Sequence, residues 1–308
     1  MCRRLEQGEA ARKTVGTMPF VIGHFYKTWR TTNMNKLCIY HGNCADGFGA
    51  ATVIRIALGS HNIDFHAGVY QEPPPDVTDR EVILVDFSYK RDALIEMAAK
   101  AKSILIIDHH KSAEADLVDL PSNVTAHFDM TKSGAVMAWE YFHPGEETPQ
   151  LLLHIQDRDL WEFKLEGTRE IQACVFSYPY EFEIWEQLLR ADPQKLREDG
   201  KAIERKHFKD IEEFIAAAAY TDTIAGHEVP VLNAPYFWSS DAGHIMGVGK
   251  PFAACYWDTP GGRVFSLRST NDGLDVSEIA AKFGGGGHKH AAGFRLAFDD
   301  LRKLADAL

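Results

Sequence analysis

The chain has 308 residues, 45% of them apolar, and a formal net charge of -11. That length sets an expectation of two domains, each with its own core. The acidic balance, with a pI near 5.7, excludes a sequence-nonspecific binder of long duplex nucleic acid but leaves room for a small phosphate ester held in a local cleft.

Five cysteines without a CxxC pair suggest neither a zinc knuckle nor a disulfide framework, and no apolar run is long enough for a transmembrane helix. A reducing, cytoplasmic setting without membrane association is therefore the expectation. Residues 1–33 open with charge and lack the apolar stretch of a secretory signal. Met34 stands directly before the first clear strand, so 1–33 reads as an upstream-start extension or a flexible arm.

From Leu37 the pattern becomes periodic. The run 37–41 predicts a strand, 47–58 a helix and 62–70 a second strand. The β-branched runs 82–86 and 104–108 suit strands buried on both faces, with an amphipathic helix over 91–102 between them. A strand over 123–129 and a helix over 133–142 follow. This alternation predicts an α/β domain with a parallel sheet over 34–178. The charged, helically spaced stretch 179–219 reads as linking helices, with Trp185, Leu188 and Leu189 as packing residues. Strands return over 220–308 as a smaller mixed α/β domain: a hairpin turns at 260–262, a helix covers 275–283, glycines fill 284–287, and a closing strand spans 291–298.

Four short segments concentrate ionisable groups: His41 to Gly47, Val85 to Ser88, Asp108 to Lys111, and His154 to Asp159. His41, Asp86 and Asp108 each end a predicted strand, and chemistry in parallel sheets gathers at those ends. Carboxylates and imidazoles at this density suit divalent cations such as Mn²⁺ or Mg²⁺, and two adjacent ions would serve a phosphoryl displacement. His154 sits in an apolar helical pattern and reads as a core or supporting histidine. Arg158 has two readings, neutralising Asp157 and Asp159 or touching substrate.

Asp108-His109-His110 at the end of an apolar strand resembles the signature of DHH phosphoesterases. CADGFGAA (44–51), VDFS (85–88) and IQDRDLW (155–161) resemble further motifs of that family, and GGGGHKHAAGF (284–294) resembles its DHHA1 substrate-binding domain. The resemblance spans roughly residues 37–300 and points to the branch of nanoRNases, oligoribonucleases, pAp phosphatases and cyclic-dinucleotide phosphodiesterases. It implies a hydrolase that uses a hydroxide bridging two divalent cations, Mn²⁺ first, with Mg²⁺ and Zn²⁺ as alternatives.

By the same resemblance, His41, Asp46 and His109 are metal ligands and Asp86 bridges both ions. Asp108 and His110 support His109 or contact phosphate. Asp157 and Asp159 compete for one ligand position, with Asp157 favoured. Arg268, Gly285, Gly286, Gly287 and His288 would hold the substrate, a short single-stranded oligonucleotide or small nucleotide. A homodimer is left open. One departure stands out: Cys44 occupies a position where many members carry Asp. A thiolate there would favour Zn²⁺ or weaken Mn²⁺ binding. Cys44 is then a ligand, a spectator, or the mark of a degraded site in a nucleotide-binding sensor. A hydrolase of non-nucleotide esters is the remaining alternative.

Overall fold

Two β-sheets organise residues 35–301, the part of the chain that the computed structural model describes. The expectation for residues 1–33 lies outside the described residues. The first sheet holds β1 (Lys36–His41), β2 (Asp64–Gly68), β3 (Glu81–Val85), β4 (Ser103–Asp108) and β5 (Val124–Phe128). Its order is β2-β1-β3-β4-β5 and every neighbouring pair is parallel.

The strands are apolar throughout because both faces are covered. Val82, Leu84, Ile104 and Ile106 pack on one side with Leu94 and Met97 of helix α2 (Arg91–Ala98). Ile83, Val85, Leu105 and Ile107 pack on the other, against helix α1 (Ala45–Leu58). Each such side chain contributes about 1.5–3 kcal/mol by leaving water. The helix expected over 91–102 stops at Ala98. Ala101 donates to the Met97 carbonyl in a closing turn, which frees Lys102 to donate to the Arg80 carbonyl.

Short helix α3 (Lys111–Asp116) follows β4, and α4 (Gly134–Phe142) and α5 (Gln150–Asp159) follow β5. Helices α6 (Thr168–Val175), α7 (Phe182–Leu188) and α8 (Pro193–Ala218) lead to the second sheet, with Trp185 fully buried as expected. Gly200 of α8 lies against α6, where a Cβ would come 1.7 Å from the Glu170 carbonyl oxygen. A backbone carbonyl cannot swing aside as a side chain can. Gly200→Ala is therefore expected to cost about 2 kcal/mol net, overpacking outweighing the gain in helix propensity; a lowered thermal unfolding midpoint checks it.

The second sheet holds β6 (Tyr220–Ile224), β7 (His227–Asn233), β8 (Ala253–Thr259), β9 (Gly262–Arg268), β10 (Gly286–His288) and β11 (Ala291–Leu296), in the order β10-β11-β9-β8-β7-β6. All its pairs are antiparallel except β7–β8, between which the chain crosses over through α9 (Ser239–Gly247). Helix α10 (Val276–Ala281) packs beside β10 and β11. The glycine run supplies β10, so its last two glycines belong to a sheet edge. No helix among the described residues is long and apolar enough to cross a membrane.

Candidate active site

The chain leaves β1 toward β2 on one side and β3 toward β4 on the other. A crevice therefore opens between the carboxyl ends of β1 and β3. His41 closes β1, and Asp86 follows β3 with a φ of 52°, a left-handed conformation that Asp tolerates better than most residues. This turn carries the Asp86 carboxylate over the strand ends. Asp108 closes β4, and His109 and His110 lead into α3.

Asp86 is the hub. Its oxygens lie 3.0 Å from His109 Nε2, 3.4 Å from His41 Nδ1 and 3.9 Å from His110 Nδ1. His109 Nε2 also lies 3.6 Å from Asp46 and 3.5 Å from Asp159. Asp46, in the first turn of α1, is held by the start of α4: the backbone N–H groups of Gly134 and Ala135 donate to its two oxygens at 2.6 and 3.0 Å. Asp108 is saturated instead. It accepts from Ser88 Oγ at 2.6 Å and from the His109 N–H at 2.8 Å, and it lies 2.6 Å from His110 Nδ1. It therefore orients the two histidines.

Asp157 corrects the sequence-based preference. Its oxygens accept from the N–H groups of Lys164 and Leu165 and from Thr168 Oγ1, so it braces the loop after α5. Asp159 takes the place at the cluster. The signal was present in the spacing: Asp159 is four residues beyond buried Ile155 and seven beyond Leu152, on the inward stripe of α5. Asp157→Asn is accordingly expected to cost about 1–3 kcal/mol of stability. Asp159→Asn is expected to act chiefly on turnover, so thermal melts and kinetics of the two variants separate the roles. His154 hydrogen-bonds Thr168 at 2.8 Å, a supporting position as expected.

Buried charges of one sign strain this centre. Burial, then the charges of Asp86 and Asp159, raise the Asp46 carboxyl well above the usual range. Burial also raises Asp159. Burial alone would keep His109 neutral, but the hydrogen bond to Asp86 and the charges of Asp159, Asp86 and Asp46 lift its pKa to about 10. Half-buried Cys44 is pushed well up by burial and then by Asp86, Asp159 and Asp46. Such a centre demands positive charge. Buried oxygens of Asp86 and Asp159 have no hydrogen-bond donor, and ligand atoms of His41, Cys44 and Asp86 lie mutually within 4.8 Å, as do those of Asp46, His109 and Asp159. The donor set thus fits divalent cations, with imidazole and carboxylate in each group and one sulfur in the first.

The second sheet closes over this centre. The His288 ring stacks on His110 at 4.5 Å between centroids and lies 4.8 Å from His109. Burial, then His110 and His109, push its pKa well down. Ser112 Oγ accepts from the Gly287 N–H at 3.2 Å, and a Cβ on Gly286 would meet that oxygen at 2.9 Å. Gly285 and Gly287 make room for β11, where a Cβ would meet the Gly293 and Ala291 carbonyl oxygens at 2.1 and 2.5 Å. The described contacts of these glycines are therefore with Ser112 and β11. Arg268 is anchored by bonds from its Nη1 to Ser266 Oγ and the Leu267 carbonyl and from its Nη2 to Ser240 Oγ. Sequence reasoning missed Gly134, Ser88 and Ser112. Their partners are 88, 20 and 175 residues away, beyond any local pattern.

A parallel sheet whose strand ends gather carboxylates and imidazoles beneath a second, mixed sheet defines a two-domain α/β protein with a cation-suited centre. Residues 248–308 match the DHHA1 domain family. An uncharacterized protein of Acanthamoeba polyphaga mimivirus is 32% identical over 288 residues, covering 86% of this chain and 68% of that protein. The DHH domain of a member of a family of ribosomal proteins superposes with a TM-score of 0.61 at 13% identity, covering 93% of this chain and 89% of that one. RecJ of Thermus thermophilus, solved in complex with Mn²⁺, superposes with a TM-score of 0.56 at 14% identity, covering 96% of this chain and 55% of RecJ. At these identities the likeness to the solved structures is one of fold. The chain carries a DHHA1 domain over residues 248–308 and has the fold of DHH-domain proteins.

Proposed function

We propose that the chain is an active phosphoesterase that hydrolyses phosphodiester or phosphomonoester bonds of short oligonucleotides or small nucleotides with two divalent cations. The observation that carries this reading is the convergence of His41, Asp46, Asp86, His109 and Asp159 on one spot, with buried carboxylate oxygens left without donors. In this reading His41, Cys44 and Asp86 hold one cation. Asp46, His109 and Asp159 hold the other, with Asp86 shared. Bound there, divalent cations supply Lewis acidity at the phosphoryl group and a nucleophile from water at neutral pH.

The chain's own groups do the rest. Asp108 fixes the rings of His109 and His110. The His288 ring, kept neutral by burial, offers the substrate phosphate a hydrogen bond from the second domain. Arg268 offsets its charge. The net charge of -11 favours short substrates over long polyanions. Residues 34–178 form the catalytic domain in this reading, 179–219 the linker and 220–308 the substrate-binding domain. RecJ's complex with Mn²⁺ makes manganese the first ion to try.

The test is hydrolysis of a fluorescent dinucleotide with Mn²⁺, Mg²⁺ or Zn²⁺. Turnover that depends on Mn²⁺ and stops with a chelator is expected. Replacing the soft ligand, Cys44→Asp, is expected to shift the Mn²⁺-to-Zn²⁺ activity ratio toward Mn²⁺ by about 10-fold. An unchanged ratio would make Cys44 a spectator. Binding of the dinucleotide without turnover would make the protein a sensor. Turnover of p-nitrophenyl phosphate but of no dinucleotide would make it a hydrolase of other esters.

A further inference from the structure

The turn that follows β2 touches both halves of the molecule. The Glu72 N–H donates to the Val69 carbonyl at 3.2 Å, which closes a four-residue turn over 69–72 with Tyr70 and Gln71 in the middle. Gln71 sits in the left-handed region, with a φ of 67°, at the position where such a turn favours Gly or Asn. A strained backbone of this kind persists when its surroundings hold it. Here the second sheet does so. The pairing of β10 with β11 ends at Gly293, which leaves the edge of β11 open at Arg295. The Gln71 amide takes the place of the missing strand: its Oε1 accepts from the Arg295 N–H at 3.0 Å, and its Nε2 donates to the Arg295 carbonyl at 3.5 Å. The Arg295 guanidinium reaches back, from Nη2 to the Gln71 carbonyl and from Nη1 to a Glu72 oxygen, each at 3.4 Å. Four contacts thus join one turn of the first domain to one residue of the second.

The neighbouring residue of the same turn, Tyr70, packs on the strand-end cluster. Its ring centroid lies 5.3 Å from that of His41 and 6.1 Å from that of His110, edge-on to both, and 4.8 Å from that of Phe87. Phe87 lies 6.1 Å from the His41 ring in turn. The Asp86 oxygen, 3.4 Å from His41 Nδ1, is a loose partner that cannot fix the imidazole by itself. The aromatic neighbours therefore set the rotation of that ring. Tyr70 is 39% exposed, so packing covers it on one side and the turn decides where it stands.

We propose that Tyr70 is a positioning residue for His41 and that the second domain sets it. Arg295 and Gln71 hold the turn, the turn holds the Tyr70 ring, and the ring holds the imidazole. The cation group of His41, Cys44 and Asp86 is then complete only while the DHHA1 domain rests on the first sheet. The other group, Asp46, His109 and Asp159, lies outside this series of contacts. The proposal rests on the two-cation reading above.

Calorimetric titration of the full chain with Mn²⁺, in the absence of substrate, tests it. The unmodified protein is expected to take up two cations. Gln71→Asn keeps an amide and suits the left-handed backbone, but its side chain is one methylene too short for β11. It is expected to weaken one cation about 10-fold, the scale for a residue that orients a ligand, and to leave the other within about 3-fold. Tyr70→Leu is expected to do the same, whereas Tyr70→Phe, which keeps the ring, should hold both cations within about 3-fold of the unmodified protein. The double variant of Gln71→Asn with Tyr70→Leu should weaken that cation no further, since both changes act through one ring. If a thermal melt shows that Tyr70→Leu does not fold, Tyr70→Met, apolar and ringless, is read in its place with the same expectation. Unchanged affinities in Gln71→Asn, equal weakening of both cations, a loss in Tyr70→Phe as large as in Tyr70→Leu, or losses that multiply in the double variant each overturn the proposal and leave the two-cation reading standing. Uptake of fewer than two cations by the unmodified protein would overturn that reading and the proposal with it.

Discussion

Asp86→Asn is expected to lower kcat/KM by about three orders of magnitude or more, the scale of several kcal/mol of lost cation-assisted stabilisation. Among the described residues, Asp86 is the one carboxylate within ion-pair distance of His41, His109 and His110 together. Without its charge, both proposed ligand groups would lose their proposed shared member. Asparagine rather than alanine is the informative change, because the left-handed backbone at this position suits Asn and not Ala. A loss in the Asn variant then reports charge and not a collapsed turn. Steady-state kinetics in Mn²⁺, with Mn²⁺ titration by calorimetry, make the measurement. Activity within about 10-fold of the unmodified protein would remove Asp86 from the ligand set.

Gly134→Ala should reduce activity by about 100-fold without replacing any ionisable residue, since misplacing reacting groups by an ångström costs that much. A Cβ at this position would lie 2.5 Å from the Asp86 Cβ, 2.9 Å from its Cα and 3.0 Å from an Asp46 oxygen. The Asp86 Cα and Cβ cannot swing aside, and the Asp46 oxygen is pinned by the Gly134 N–H itself. The added methyl would push two proposed ligands apart, although alanine is the better helix former. The checks are kcat/KM and Mn²⁺ affinity, read beside a far-ultraviolet dichroism melt that reports folding. Full activity in the Ala variant would mean that α4 can retreat from β3 without consequence.

Much of the site was legible because parallel strands advertise their ends. Buried runs such as 82–85 and 104–107 are apolar at every position, so the first ionisable residue after each marks where the strand reaches the crevice. Composition alone thus located His41, Asp86 and Asp108. The structure brings Asp159 rather than the favoured Asp157 to the cluster, since two positions two residues apart on a helix point roughly 200° apart. Only the roll of α5, set by Leu152 and Ile155 against the core, decides which carboxylate faces inward. The glycine run was legible as a place of close approach. The identity of what approaches was not, because Ser112 and β11 are brought there by tertiary folding. The parallel β7–β8 step was hidden for a related reason: local pattern gives strands but not their partners.

The stretch from Asp108 to Ser112 does two jobs within five residues. His109 and His110 face the carboxylates, while Lys111 bonds Asp275 at 2.8 Å and Ser112 bonds Gly287. No spacer separates the anchor of the DHHA1 domain from the imidazoles. A shift of that domain would be felt by these two rings with almost no slack, like a door whose hinge pin is also its latch.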